Sequence, residues 1–549
     1  MKKGSIHTTN SRSQINDLDN LPITDRSLID YEKYHQFISN SGVKYSMAIQ
    51  ATRGCLYKCF YCDIHKISPG HYRRSVKHLF NEVRLLADIG VKRIEFIDDI
   101  FNANREHCIS FFELVLKHQL DLNFYFINGL RGDILSKDMI DLMVEAGAAS
   151  INLSLEHPSP RLQKIMRKNL NIDKLRENLQ YIAGKYPYVV LGLNAMHGFP
   201  TETEEEALET LEFIKSIKWI HFPYLVNVRV FPGTDIEKLA LKQGISKEAI
   251  EHSQNLAFEE AAPTLSFSKN FTKGVKTMFL KDYVLNKERL RHVLPYQMEQ
   301  FSEDELNQKY NSYFPTRIKT LDDLLGVVKI NRSDLSVSTC LDESQIRIPD
   351  LNTRIREKFP SVKKRKDALK LLLFDLSLFF SQETDTHERV LCEPPLGLLA
   401  LLSYINQEFG DRVEGEIYKA RIDFDSYEEL YNIIIGFGTD IIGIRTLTFY
   451  KGFLHKAVAY IRERGITVPI IVGGPYASGS FAELLQDKNI DLAVISEGEK
   501  TLAEILEQTL ANNKHLPDVE VLKKISGIAF LEEDEIWKRE HEESYISFN

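Results

Sequence analysis

From Lys44 to Thr234, and again from Leu369 onward, short β-type runs alternate with amphipathic helical segments, a pattern that restricts both stretches to parallel α/β folds. In the first stretch the spacing predicts strands over 45–51, 93–97, 123–128, 150–155, 189–195 and 225–230. Between the first two, Val76, Leu79, Phe80, Val83 and Leu86 recur at helical spacing ahead of Gly90, which suits the left-handed position that ends a helix. Ser136 is placed to cap a helix carrying Ile140, Met143 and Val144 and ending at Gly147. Thr201 with Glu204 forms a capping-box pattern ahead of Leu208, Leu211 and Ile214. Six such units imply an open, partial (βα)6 barrel over 44–240, preceded by an N-terminal extension, 1–43.

Residues 241–365 hold few β-type runs and many charged, helix-favouring stretches, and read as a helical connector. Lys363, Lys364, Arg365 and Lys366 mark its end as a solvated basic face. The second alternation predicts strands over 369–374, 413–418, 440–444, 468–472 and 491–495, the pattern of a doubly wound, Rossmann-like or flavodoxin-like domain spanning 366–530, with a tail at 531–549. In such sheets ligands sit outside the carboxyl ends of the strands. That draws attention to the loops holding Arg445-Thr446-Leu447-Thr448 and Gly473-Gly474-Pro475.

The net charge of -9 over 549 residues supplies no whole-chain basic footprint, so nucleic acid is not an expected partner. The longest apolar stretch, LKLLLFDLSLFF, is broken by Asp375 and falls short of the roughly 20 residues a membrane span requires. The first twenty residues carry two lysines with no apolar run behind them, so neither a signal peptide nor a membrane segment is expected, and the expected location is cytoplasmic. Six cysteines in a chain of this length do not make a disulfide framework, and three of them fall within eight residues.

That cluster, Arg53-Gly54-Cys55-Leu56-Tyr57-Lys58-Cys59-Phe60-Tyr61-Cys62, directly follows the first predicted strand. Three thiolates on one tight loop can hold three irons of a cubane and leave the fourth open to chelate an amine and a carboxylate. A structural zinc ion bound by Cys55, Cys59, Cys62 and His65, within a non-catalytic interaction module, is the competing reading.

CxxxCxxC at the end of the first strand of a βα barrel resembles the radical S-adenosylmethionine (SAM) superfamily, and the resemblance runs over about residues 44–235. It implies a 4Fe-4S cluster on Cys55, Cys59 and Cys62, with SAM as co-substrate, cleaved reductively to start radical chemistry. Tyr61 stands where the family packs an aromatic residue near adenine. RIEFIDDIF (93–101) is similar to the acidic second-strand motif and puts Asp98 and Asp99 at the barrel mouth, with Arg131 of GLRGD (129–133) as a further catalytic candidate. SLEHPSP (154–160) resembles the fourth-strand motif in which Glu156 would help hold SAM; GFPTETEEE (198–206) resembles the Gly-x-Pro segment, placing Gly198 and Pro200 against adenine. The resemblance also implies a flavodoxin- or ferredoxin-type electron donor.

PPLGLLALLSYI (394–405), DIIGIRTLTFY (440–450), VPIIVGGPYAS (468–478) and DLAVISEGEKTLAEIL (491–506) together resemble the cobalamin-binding (B12-binding) domain of one large radical SAM class. Thr446, Thr448, Gly473 and Gly474 are the residues this assigns to cobalamin. The family's Asp-x-His-x-x-Gly motif is incomplete, since Asp385-Thr-His387-Glu-Arg-Val390 has Val in place of Gly, and the domain follows the barrel where the class usually puts it first. A rearranged chain and a component of a longer assembly with a separate partner subunit both stay open. The implied activity is C-methylation or carbon-skeleton remodelling of a small-molecule, secondary-metabolite or peptide-type substrate; the alternative is a radical SAM enzyme whose second domain is a cobalamin-free lid or docking surface.

Overall fold

A computed structural model describes residues 4–255, 265–314, 318–383 and 391–533. In chain order the first strands are β1 (Gly4–Thr8), β2 (Ser46–Ile49), β3 (Thr52–Gly54), β4 (His71–Arg73) and β5 (Arg93–Phe96). They are followed by β6 (Asn123–Leu130), β7 (Ala148–Glu156), β8 (Val190–His197) and β9 (Phe222–Asn227). The later strands are β10 (Leu369–Asp375), β11 (Val413–Lys419), β12 (Ile441–Arg445), β13 (Ile470–Gly473), β14 (Leu492–Val494) and β15 (Ile528–Glu533).

Strands β2-β5-β6-β7-β8-β9 form one six-stranded sheet in that order, every neighbour parallel, as six successive βα units require. Alternation sorts the side chains. Ile94 and Phe96 of β5 join the core under the helices, whereas Arg93 and Glu95 project from the opposite face. The helix Val76–Ile89 starts where Ser75 accepts a hydrogen bond from the His78 N–H, and it ends at Gly90 with φ of 106°. The capping box of the helix Glu204–Lys215 is made by Thr203 and Glu206, not Thr201 and Glu204. The TETEEE run offers the same pattern twice, and the second threonine takes it. The last strand starts three residues before its predicted position; Pro223 is tolerated there because β9 is an edge.

The helical stretch fastens the two open edges. Glu305 accepts hydrogen bonds from the Lys44 N–H beside β2 (2.6 Å) and from Arg93. Tyr313 donates to the Pro223 carbonyl of β9 (2.7 Å), and Arg289 donates to the Ile220 carbonyl (2.9 Å).

The second sheet runs β1-β15-β14-β13-β12-β10-β11. Its five parallel strands follow the flavodoxin-like order 2-1-3-4-5, so the strand order reverses between β10 and β12. β15 joins antiparallel beside β14, and β1 pairs with β15 from Gly4↔Glu533 to Thr8↔Ala529, so the N-terminal residues complete this sheet. Carboxyl-end loops of the two sheets meet: Arg53 pairs with Glu499 (2.6 Å) and Glu497 (3.3 Å), and Arg229 lies 4.0 Å over the Phe449 ring. Among the described residues no helix is long and apolar enough to cross a membrane.

Candidate active site

The cysteine loop leaves the antiparallel β3–β4 hairpin. Gly54 there has φ of 76°, and a Cβ on it would lie 2.3 Å from the Gly70 carbonyl oxygen, so the backbone before Cys55 needs glycine. Phe60 anchors the loop's middle: its N–H donates to Met166 (3.0 Å), its carbonyl accepts from the Ile236 N–H (3.2 Å), and its ring joins Phe199, Leu162 and Met166 in a small core. Cys55, Cys59 and Cys62 are free and half-buried, and burial pushes all three thiols up, Cys62 to about 12. A soft metal centre would replace those protons and relieve the cost of three crowded thiolates. His65 is spent elsewhere, its Nε2 lying 2.6 Å from the Tyr57 carbonyl oxygen. Among the described residues no three His, Cys, Asp or Glu side chains converge on a single-ion position. The donor set fits a cluster that distributes its sulfur ligands over separate irons.

Asp98 and Asp99 are both at the mouth, and both hold the loop's backbone. Asp98 accepts from the N–H groups of Ala51 (3.0 Å) and Thr52 and from the Thr52 hydroxyl (2.7 Å); burial nevertheless raises its carboxyl to about 6. Asp99 accepts from the Gly54 N–H (3.2 Å). Arg131 is saturated: it pairs with Asp133 (2.9 Å), donates to the carbonyls of Lys168 (2.9 Å) and Asn169 (3.0 Å), and lies 4.0 Å over the Tyr57 ring.

Glu156 ends β7 in the left-handed region, φ 62°, and accepts from Lys168 at 2.7 Å. Tyr61 packs edge-on against Phe199 at 6.2 Å. Gly198, at φ 89°, and Phe199 both donate backbone N–H groups to Glu202. His157 and His197 lie 3.5 and 3.4 Å from the other oxygen of Glu202. Burial alone would raise that carboxyl, but the two imidazoles bring it down to about 2. The turn bearing Pro200 is therefore set by a buried carboxylate. Sequence reasoning singled out neither Lys168 nor Glu202. The Gly198-to-Glu202 spacing could have revealed Glu202; Lys168 carries no local signal.

In the second domain Thr446 is fully buried and its hydroxyl donates to the Leu376 carbonyl at 2.9 Å, so it serves the fold. Thr448 is buried at the start of a short 3-10 turn. Gly474 has φ of 87°, and a Cβ there would lie 3.1 Å from Arg445 Cγ; Gly473 is less constrained. Asp385, His387 and Val390 lie outside the described residues, as does the tail beyond Glu533. An unforeseen ion cluster stands at the strand ends, where Asp375 accepts from Lys419 (2.6 Å) and Arg445 (2.9 Å).

The profile of the Radical SAM superfamily matches residues 49–214, and that of the B12 binding domain matches residues 385–506. An uncharacterized methyltransferase of Pyrococcus horikoshii is 25% identical over 246 residues, covering 44% of this chain and 51% of the relative. The ribosomal protein uS12 methylthiotransferase RimO of Clostridium novyi is 24% identical, covering 44% and 55%. The chain thus spans about half the length of the curated relatives it matches. Among solved structures, the cobalamin-dependent SAM radical enzyme OxsB, with aqua-cobalamin and SAM bound, aligns at a TM-score of 0.35 and 15% identity over 57% of this chain and 54% of its own. The radical SAM methyltransferase TsrM of Kitasatospora setae aligns at 0.33 and 17% over 36% and 39%. With both domains matched in sequence and both sheets in place, the chain carries a domain of the radical SAM superfamily followed by a B12-binding domain.

Proposed function

We propose that this protein is a cobalamin-associated radical SAM enzyme that methylates or remodels an unactivated carbon in a secondary-metabolite or peptide-type substrate. The observation that carries this reading is the meeting of the two carboxyl-end faces: the three-thiol mouth of the barrel opens toward the strand ends of the B12-type sheet, joined by Arg53–Glu497/Glu499 and Arg229–Phe449. A reactant held at the mouth would sit between the two cofactor sites.

A 4Fe-4S cluster and SAM, when bound, supply one-electron cleavage of the sulfonium and a carbon-centred radical, and cobalamin supplies a transferable methyl group. The chain's own residues fix the geometry. Asp98 and Asp99 hold the backbone leading into the cysteine loop, Glu202 sets the Gly198–Pro200 turn, and Glu156 with Lys168 places opposite charges beside Cys59, suited to a zwitterionic amino-acid moiety. The electron donor in this reading is a flavodoxin or ferredoxin, and a separate partner subunit is compatible with it.

Anaerobic reconstitution with iron, sulfide and hydroxocobalamin, followed by iron and cobalt analysis and a 5′-deoxyadenosine assay, tests the reading. Iron near four per chain, bound cobalt and SAM cleavage are expected; absence of iron-dependent cleavage overturns it. A second reading, a cobalamin-free lid, is favoured by the internal use of Thr446, and it predicts the cleavage without cobalt retention.

A further inference from the structure

Three adjacent strands of the second sheet end in charge. Register aligns Asp375 of β10 with Lys419 of β11 on one side and Arg445 of β12 on the other, at the point where strand order reverses. The Asp375 side chain is fully buried and spends one oxygen on each cation. Lys419 is 6% exposed and also donates to Ser377 at 3.0 Å. Arg445 keeps 28% exposure, and among the described residues its guanidinium has one hydrogen-bond partner, Asp375.

One carboxylate between two cations leaves a positive charge in excess. Two further acids lie near Lys419: Asp423 is paired with Lys33 (2.9 Å), and Glu393 does not cancel the excess in full, because burial beside Glu95 lifts its carboxyl to about 7. The backbone turn at Gly474 passes beside the Arg445 stem, close enough that a Cβ there would lie 3.1 Å from Arg445 Cγ. A guanidinium fixed by one N–H and open at the others is suited to fork onto an oxyanion.

We propose that Arg445, oriented by Asp375 and backed by Lys419, anchors the phosphodiester of a bound cobalamin's nucleotide arm. The inference rests on the cobalamin reading and adds to it the part of the ligand that this edge recognises. Thr446 and Gly474 then shape the edge, and Arg445 supplies the charge.

The test compares hydroxocobalamin with aquocobinamide, which lacks the phosphodiester and nucleotide, titrated into the full-length protein and read by absorption and intrinsic fluorescence. The wild-type protein is expected to bind cobalamin at least tenfold more tightly than cobinamide. Arg445→Met reduces that preference to threefold or less by weakening cobalamin, and Arg445→Lys retains part of it, while circular dichroism reports the folded state of both. Higher ionic strength erodes the wild-type preference and leaves cobinamide binding unchanged. Equal wild-type affinity for the two corrinoids, or an unchanged preference in folded Arg445→Met and Arg445→Lys, overturns the inference with the cobalamin reading intact. Failure of the wild type to bind either corrinoid overturns the cobalamin reading and the inference with it.

Discussion

Lys168 and Glu156 meet at 2.7 Å, each about nine-tenths withdrawn from solvent, at the end of β7 and beside Cys59. Arg131 holds the backbone carbonyls of Lys168 and Asn169, so a residue on the third unit positions the lysine that partners the fourth. Removing one member of a buried pair leaves the other charge uncompensated, at a cost of about 3 kcal/mol, whereas removing both charges costs much less. Lys168→Met should therefore be the more destabilised variant in urea titrations, with Glu156→Gln/Lys168→Met recovering much of the loss. A double-variant loss equal to the sum of the two single losses would show that the pair is not coupled.

Cys59→Ser should assemble less iron and lose the broad charge-transfer absorption near the visible blue, with SAM cleavage falling to background. Cys108→Ser should do neither, because Cys108 is fully buried under the helices, its thiol near the Phe101 carbonyl. Iron analysis and optical spectra of the two variants, prepared side by side without oxygen, check this.

Asp98→Asn replaces one acceptor oxygen by a donor in a place where two backbone N–H groups and a hydroxyl already donate. One buried donor is left unsatisfied, a penalty of about 1–3 kcal/mol. The expected outcome is lower cluster occupancy at a nearly unchanged far-ultraviolet spectrum, since the loop is affected and the barrel is not. Wild-type occupancy in the variant would refute the tether.

Both alternating stretches were legible because period-2 and period-3.6 hydrophobicity is local. The pairing of Gly4–Thr8 with β15 was not, since its partner lies more than five hundred residues away and a five-residue polar run carries no sign of where it docks. The three cysteines stood out because metal-binding loops are contiguous in sequence. Lys168 and Asp375 did not: one acts from the turn between the two helices that follow β7, twelve residues past the Glu156 it serves, and the other reads in sequence as a break in an apolar run. Asp98, Asp99 and Arg131 stand out in sequence at strand ends, but only their hydrogen bonds reveal that the two aspartates spend their capacity on the backbone before the cysteines and Arg131 on Asp133 and the carbonyls of Lys168 and Asn169.

Acid should weaken the second domain through Asp375. Burial alone would raise its carboxyl, but Lys419 and Arg445 outweigh that and lower it to about 2 from an ordinary 3.8. A depressed carboxyl contributes stability that is present above the unfolded value and lost as pH falls through the folded one, here between about 4 and 2, worth about 2 kcal/mol. Asp375→Asn lacks this term, so the stability gap between it and the wild type should narrow on acidification over that window. A gap independent of pH would mean that Asp375 titrates normally.

Gly54→Ala separates cluster assembly from folding. Its φ of 76° disfavours any Cβ, and the added methyl would meet backbone carbonyls, Gly70 at 2.3 Å and Ser68 at 2.8 Å, which cannot swing aside as a side chain would. The β3–β4 hairpin must open, which displaces Cys55 while Cys59 and Cys62 stay tied through Phe60 to Met166 and Ile236. With one of three ligands out of reach, iron uptake should fall severalfold. The thermal midpoint should drop by only a few degrees, because the hairpin lies outside the six-stranded sheet. Iron content and calorimetry of the same preparation decide it: retained iron would show that the loop tolerates the shift, and that Gly54 shapes the turn without setting the ligand geometry.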